Sequence, residues 1–127
     1  CRGIKVVSVI VVDDYGELRS LVVTFLNAYS SFQVVGEAQN GCEAVEMVEQ
    51  LKPQIVLMDI IMPVMDGLTA TRMIKKRFPD VFVILYSGDE DEENLKQVKE
   101  AGADLHLTKP LDLEELIIQM SELLSLS

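Results

Sequence analysis

The chain has 127 residues, of which 49% are hydrophobic and 25% charged, a balance that suits one folded domain and excludes a disordered or fibrous class. A domain of this size buries roughly two-thirds of its unfolded surface, so it needs no disulfide or metal staple. The net charge of −10 argues against direct nucleic-acid contact, which requires clustered Lys and Arg on phosphates.

A single domain is expected over 1–127, with its core at about 5–124 and with Cys1, Arg2 and Gly3 as candidates for a vector-derived remnant. The two thiols, Cys1 and Cys42, are too few and too badly placed for a disulfide framework, which points to a reducing compartment and a cytoplasmic setting. The first apolar run, 6–12, is too short to span a bilayer and contains Ser8, and no signal peptide is visible, so no membrane partner is expected.

That run predicts a first strand. The spacing of Leu18, Leu21, Val22, Phe25, Leu26 and Tyr29 predicts a helix after it. A second strand is predicted at 32–35 and a second helix at 42–51, with Val45, Val48 and Leu51 on its apolar face beside Ala44. Then come a strand at 55–58 and a helix at 67–78, where Ala70, Ile74 and Phe78 share a face. A strand at 81–86 precedes a mostly polar helix at 90–101, with Leu95, Val98 and Ala101 inward. The last pair is a weak strand at 105–107 and a helix at 113–124, with Leu113, Leu116, Ile117, Met120 and Leu124 inward. Gly41, Pro53, Pro79, Gly102 and Pro110 punctuate the pattern. The basic cluster Lys75, Lys76 and Arg77 complements a helix C-terminus. Strands this apolar are buried on both faces, so five βα units imply an open, doubly wound parallel sheet in an α/β fold.

Ligands of such sheets bind beyond the carboxyl ends of the strands. The residues expected there are Asp13 and Asp14 after the first strand, Asp59 after the third, Ser87 and Gly88 after the fourth, and Thr108, Lys109 and Pro110 after the fifth. Three converging carboxylates raise one another's pKa unless a cation offsets them. Mg²⁺ suits one to three carboxylates plus waters and phosphate oxygens. With the Lys109 ammonium and the Ser87 hydroxyl added, the set is suited to a phosphoryl group, and a carboxylate can be the nucleophile. Gly88 leaves room for a backbone N–H to approach a phosphate. Taken singly, each residue has a blander reading: Asp14 and Ser87 as helix caps, Lys109 as a solvated surface lysine, Pro110 as a helix starter. The joint pattern at four of five strand ends favours the chemical one.

The motifs Val11-Val12-Asp13-Asp14, Met58-Asp59-Ile60-Ile61-Met62-Pro63 with Met65-Asp66-Gly67, Tyr86-Ser87-Gly88, Ala101-Gly102-Ala103-Asp104 and Thr108-Lys109-Pro110 resemble those of the receiver domains of two-component response regulators, of the chemotaxis-regulator type. The resemblance covers about residues 5–124. It implies a flavodoxin-like (βα)5 fold with strand order 2-1-3-4-5. It further implies that Asp59 is phosphorylated, and that Asp13, Asp14, Asp59 and the backbone carbonyl of Ile61 hold Mg²⁺. Ser87 and Lys109 would contact the phosphoryl group, the Lys109–Pro110 bond would be cis, and Asp66-Gly67 would shape the loop into the third helix. The implied donor is a sensor histidine kinase or phosphotransfer protein. The implied target is an output domain or protein reached through the fourth helix, fifth strand and fifth helix, with a phosphorylation-dependent dimer as one form. The domain would be a switch rather than an enzyme acting on other substrates. Three positions depart from the usual pattern. His106 stands where the family usually has the Tyr or Phe that turns inward as Ser87 moves, or else is an ordinary edge-strand residue. Ile61 puts a branched apolar side chain beside the phosphate. Asp89 opens an acidic run to Glu93.

Three rival readings fit the sequence less well. An aspartate-nucleophile phosphatase needs an Asp two after Asp13, where Tyr15 stands. A flavodoxin-type flavin domain needs a phosphate cradle after the first strand, where Asp13-Asp14-Tyr15-Gly16-Glu17 would repel one, and the glycines form no dinucleotide or Walker loop. A degenerate receiver acting only as an interaction module would not need the complete acid, hydroxyl and lysine set.

Overall fold

In a computed structural model the described residues are 6–88 and 92–125, with side chains from residue 95 onward in the second stretch. Strands and helices alternate: β1 (Val7–Val12), α1 (Gly16–Asn27), β2 (Phe32–Ala38), α2 (Gly41–Leu51), β3 (Ile55–Asp59), α3 (Gly67–Arg77), β4 (Phe82–Ser87), α4 (Glu92–Ala101), β5 (Leu105–Thr108) and α5 (Leu113–Ser125). All pairings are parallel, in the order β2-β1-β3-β4-β5. This is the expected doubly wound α/β sheet. Cys1 and most of the acidic run 89–93 lie outside what can be described.

Period-two alternation sorts the central strands onto two cores. Ile10, Val12, Val56, Met58, Val83 and Leu85 pack against α2, α3 and α4 through Ala44, Val45, Val48, Ala70, Ile74 and Val98. Val9, Val11, Ile55, Leu57, Ile84 and Tyr86 pack against α1 and α5 through Val22, Leu26, Leu116 and Met120. Burying a side chain such as Leu57 or Ile84 stabilises by about 1.5–3 kcal/mol.

The predicted edges shift by a residue or more for local reasons. β2 runs past Val35 through Gly36, Glu37 and Ala38, because its outer positions face water while its backbone still pairs with Ile10, Val11 and Val12. Tyr29 lies beyond the end of α1 and packs against Phe25 in a tilted pair with ring centroids 5.2 Å apart. Leu21 is exposed, and Val23 joins the core in its place. Leu51 and Leu95 are likewise exposed. Phe78 is the C-cap of α3, partly buried against the core rather than on the helix face.

Caps set where the helices begin. The Asn40 side chain accepts from the Glu43 amide at 2.9 Å, and Asp66 accepts from the Thr69 amide at 2.8 Å. Asp112 accepts from the amides of Glu114 and Glu115 at 3.1 Å. The basic cluster does sit in the last turn of α3. Lys75 donates to the carbonyls of Pro79 and Val81 and pairs with Asp104 at 3.0 Å, and Arg77 pairs with Glu49 at 2.7 Å.

Candidate functional site

The strand parity that sorts the core also aims the site. Asp13 and Asp59 continue the face of Val11 and Leu57, one residue past the last β1–β3 pair, Val12 and Met58. Asp13 is fully buried. Its Oδ1 accepts from the Tyr15 amide at 2.9 Å and its Oδ2 from the Tyr86 hydroxyl at 2.6 Å. Arg19 donates to the Asp13 carbonyl oxygen at 2.6 Å and pairs with Glu37 at 3.1 Å. Asp59 is 5% exposed; its Oδ1 accepts from the Ile61 amide at 3.3 Å and its Oδ2 from the Lys109 ammonium at 3.0 Å. Asp14 is exposed, and its side chain makes no hydrogen bond among the described residues. It is not the cap of α1: that position is Tyr15, with no side-chain cap bond.

One carboxylate oxygen from each of Asp13, Asp14 and Asp59 lies within 4.8 Å of the other two. Ligand oxygens around an octahedral Mg²⁺ at about 2.1 Å would sit about 3.0 Å apart in cis and about 4.2 Å in trans. The three acids therefore fit one ion after a small contraction. Among the described residues, the one ion pair their side chains make is that of Asp59 with Lys109. Burial raises the Asp59 pKa; the Lys109 hydrogen bond and charge pull it down, the Asp13 charge pushes it up, and the Ile61 amide pulls it down. The net direction is upward, so burial outweighs the lysine and the ionised carboxylate is under-compensated. An under-compensated anion is what a divalent cation or an incoming electrophile would relieve.

Ser87, 2% exposed, lies on the opposite face of β4 from Tyr86, and its Oγ is 3.0 Å from His106 Nε2. His106 pairs in register with Leu85 on β5, which brings its ring to the same side as Ser87. The Lys109 amide donates to the Ser87 carbonyl at 2.8 Å, and the Lys109–Pro110 peptide bond is cis. A Cβ on Gly88 would meet no heavy atom within 4 Å, so only a bound group could require a glycine there. Asp66 and Gly67 close the loop after β3: Asp66 caps α3 and the Gly67 amide donates to the Ile60 carbonyl at 2.7 Å. The Ile61 side chain is 74% exposed beside the site.

A family model described as the response regulator receiver domain matches residues 9–121. The chain belongs to that family. It is 37% identical over 117 residues to the chemotaxis protein CheY of Halobacterium salinarum, covering 92% of this chain and 96% of that protein. It is also 37% identical to the transcriptional regulatory protein DegU of Brevibacillus brevis over 87% of this chain but 47% of the relative, so it spans about half of that protein. Among solved structures, the CheX–CheY–BeF₃–Mg²⁺ complex of Borrelia burgdorferi superposes with a TM-score of 0.86 at 27% identity, covering 93% of this chain and 89% of that one. Receiver domains are the signalling switches of two-component systems, and the cluster of Asp13, Asp14 and Asp59 fits Mg²⁺ and phosphoaspartate chemistry. Among the described residues, no helix is long and apolar enough to cross a membrane.

Sequence reasoning missed two participants. Tyr86 was read as part of an apolar strand, yet its hydroxyl reaches the buried acid Asp13. Its signal was parity: it shares the face that ends in Asp13 and Asp59, and a buried phenol needs a partner. Arg19 carried no comparable signal, since an arginine one turn into a surface helix is ordinary.

Proposed function

We propose that this receiver takes a phosphoryl group onto Asp59 from a phosphohistidine of a sensor kinase or phosphotransfer protein, in a reaction that needs Mg²⁺. The observation that carries the reading is the buried, under-compensated Asp59 carboxylate facing two further acids and one lysine. An Asp59 oxygen would attack phosphorus, the P–N bond would break, and its electron pair would leave on the imidazole nitrogen. Asp13, Asp14, Asp59 and the Ile61 carbonyl are the residues that would hold the metal. When bound, Mg²⁺ would supply charge neutralisation at the phosphoryl oxygens. Lys109 would exchange its Asp59 contact for a phosphoryl oxygen, and Ser87 would donate its hydroxyl to another. That the Borrelia neighbour's complex contains beryllium trifluoride and Mg²⁺ supports the same chemistry.

Ser87 would have to leave His106 to reach the phosphoryl group, which makes their 3.0 Å contact the start of the switch. The change would then pass to the surface of α4, β5 and α5, where an output domain, a protein target or a second copy would read it. The donor would approach over a groove of about 550 Å³ lined by Tyr15, Leu18, Leu21, Lys109, Pro110 and Leu111. The cellular setting would be the cytoplasm, and the only substrate the protein's own aspartate. The test is incubation with acetyl phosphate and Mg²⁺: one phosphoryl group should be gained, and none in EDTA. Gain in EDTA would remove the metal from the reading.

A further inference from the structure

The hydrogen bond between Tyr86 and Asp13 joins two side chains that are both fully buried, from strands that are not neighbours in the sheet. β3 lies between β1 and β4, so the phenol reaches over the end of β3 to close the 2.6 Å contact. Tyr86 pairs in register with Asp59, and its carbonyl accepts from the Ile60 amide at 3.1 Å, which fixes its backbone to the strand that carries the acceptor. The Lys109 ammonium lies 5.5 Å from the centre of the Tyr86 ring while donating to Asp59. One side chain thus touches an acid of the metal cluster with its hydroxyl and the cation of the site with its ring face.

Resting on the phosphoacceptor reading above, we infer that Tyr86 is a positioning residue for the metal centre: its hydroxyl locks the Asp13 carboxylate in the orientation that faces Asp14 and Asp59, and its ring seats Lys109. Asp13 has both oxygens tied, Oδ1 by the Tyr15 amide and Oδ2 by Tyr86, so the group cannot rotate, yet each oxygen keeps lone-pair capacity for an ion or its water. Without the hydroxyl, Oδ2 loses its buried donor, and the carboxylate is free to turn out of the orientation that faces Asp14 and Asp59. A phenylalanine would fill the same core volume, so the hydroxyl can be removed without opening a cavity.

A tyrosine that merely satisfied its own buried hydroxyl would lower stability when changed but leave metal affinity alone. Partners of metal-ligating carboxylates instead cost about 10- to 100-fold in affinity when lost. The experiment is a Mg²⁺ titration of wild type, Tyr86→Phe and Tyr86→Leu, followed by backbone amide NMR with no phosphodonor present. Only variants that keep a native-like spectrum at the working temperature are compared. Tyr86→Phe is expected to raise the Mg²⁺ Kd about tenfold. At saturating Mg²⁺ it should phosphorylate at close to the wild-type rate, because its ring still seats Lys109, whereas Tyr86→Leu should be slow even there. With ¹³Cζ-labelled tyrosine, Mg²⁺ should shift the Tyr86 resonance of the wild type and leave that of Tyr29 in place. An unchanged or tighter Mg²⁺ Kd in folded Tyr86→Phe overturns the inference, as does a Tyr86 resonance indifferent to Mg²⁺. A wild type that does not bind Mg²⁺ at all would instead sink the phosphoacceptor reading on which the inference stands.

Discussion

Asp13, Asp14 and Asp59 carry the same carboxylate in three environments, and the environments divide their work. Asp13 is buried and held at both oxygens, Asp59 is buried and held by a lysine and an amide, and Asp14 is exposed with no described donor. Asp14 therefore contributes little to the metal-free fold. Asp14→Ala should weaken Mg²⁺ binding at least tenfold while metal-free stability stays within about 0.5 kcal/mol of wild type or rises. Urea unfolding in EDTA beside a Mg²⁺ titration checks both halves, and a large metal-free loss would make Asp14 a structural residue. Asp59 behaves differently, because burial raises its pKa in the fold. A raised carboxyl contributes stability that is fully present below its unfolded pKa and lost as pH rises through the folded value. At neutral pH the ionised group thus costs stability, and Lys109, about one-third exposed, can turn to water if its partner is removed. Asp59→Asn should melt higher than wild type in EDTA at pH 7, with the gap closing as pH falls toward the acid range. A lower melting point at pH 7 would mean that the Lys109 pair, not burial, dominates. The three acids were legible in the sequence because strand ends interrupt apolar runs. Their division of labour was not, since it depends on donors as distant in sequence as Tyr86.

Elements hold these residues in place, and the loop from β3 to α3 is the tightest junction. A Cβ on Gly67 would fall onto the Asp59 carbonyl oxygen and lie 2.9 Å from Ile60 Cα, both backbone atoms that cannot give way. Gly67→Ala should destabilise by about 3 kcal/mol, at the upper end for overpacking, and should distort the acceptor as it does so. Thermal unfolding measures the first effect and loss of phosphorylation in the surviving folded fraction the second; a neutral substitution would show that the loop is slack. The sequence placed Asp66 and Gly67 at this loop through the resemblance alone, and the crowding behind the glycine is visible only in three dimensions. Helix faces were read less well. Period 3.6 put Leu21, Leu51 and Leu95 inward, but each is exposed, and on α1 it is Val23 that packs against the core. On β5, the His106 imidazole is in direct hydrogen-bond contact with Ser87. If Ser87 moves to the phosphoryl group, that contact breaks, and the imidazole changes its surroundings. Ring-proton NMR of the single histidine, followed through a pH titration with and without beryllofluoride and Mg²⁺, should give two different curves. Superimposable curves would leave His106 outside the switch.

At the scale of the whole molecule, one topological fact does most to assemble the site. The order β2-β1-β3-β4-β5 puts β1 beside β3 and β4 beside β5, so the ends of four strands converge although their acids, hydroxyl and lysine are separated by up to 96 positions from Asp13 to Lys109. The alternation of apolar runs with amphipathic stretches made the parallel sheet legible, because only strands covered on both faces are apolar throughout. The strand order itself came from the family resemblance, since periodicity does not say which strands are neighbours. The central claim is that Asp59, and no other residue, accepts the phosphoryl group in the presence of a divalent metal. Intact-mass measurement after incubation with acetyl phosphate and Mg²⁺ tests it most directly. The wild type should gain one phosphoryl group, while Asp59→Asn and the wild type in EDTA should gain none. An equal gain in Asp59→Asn would contradict the assignment.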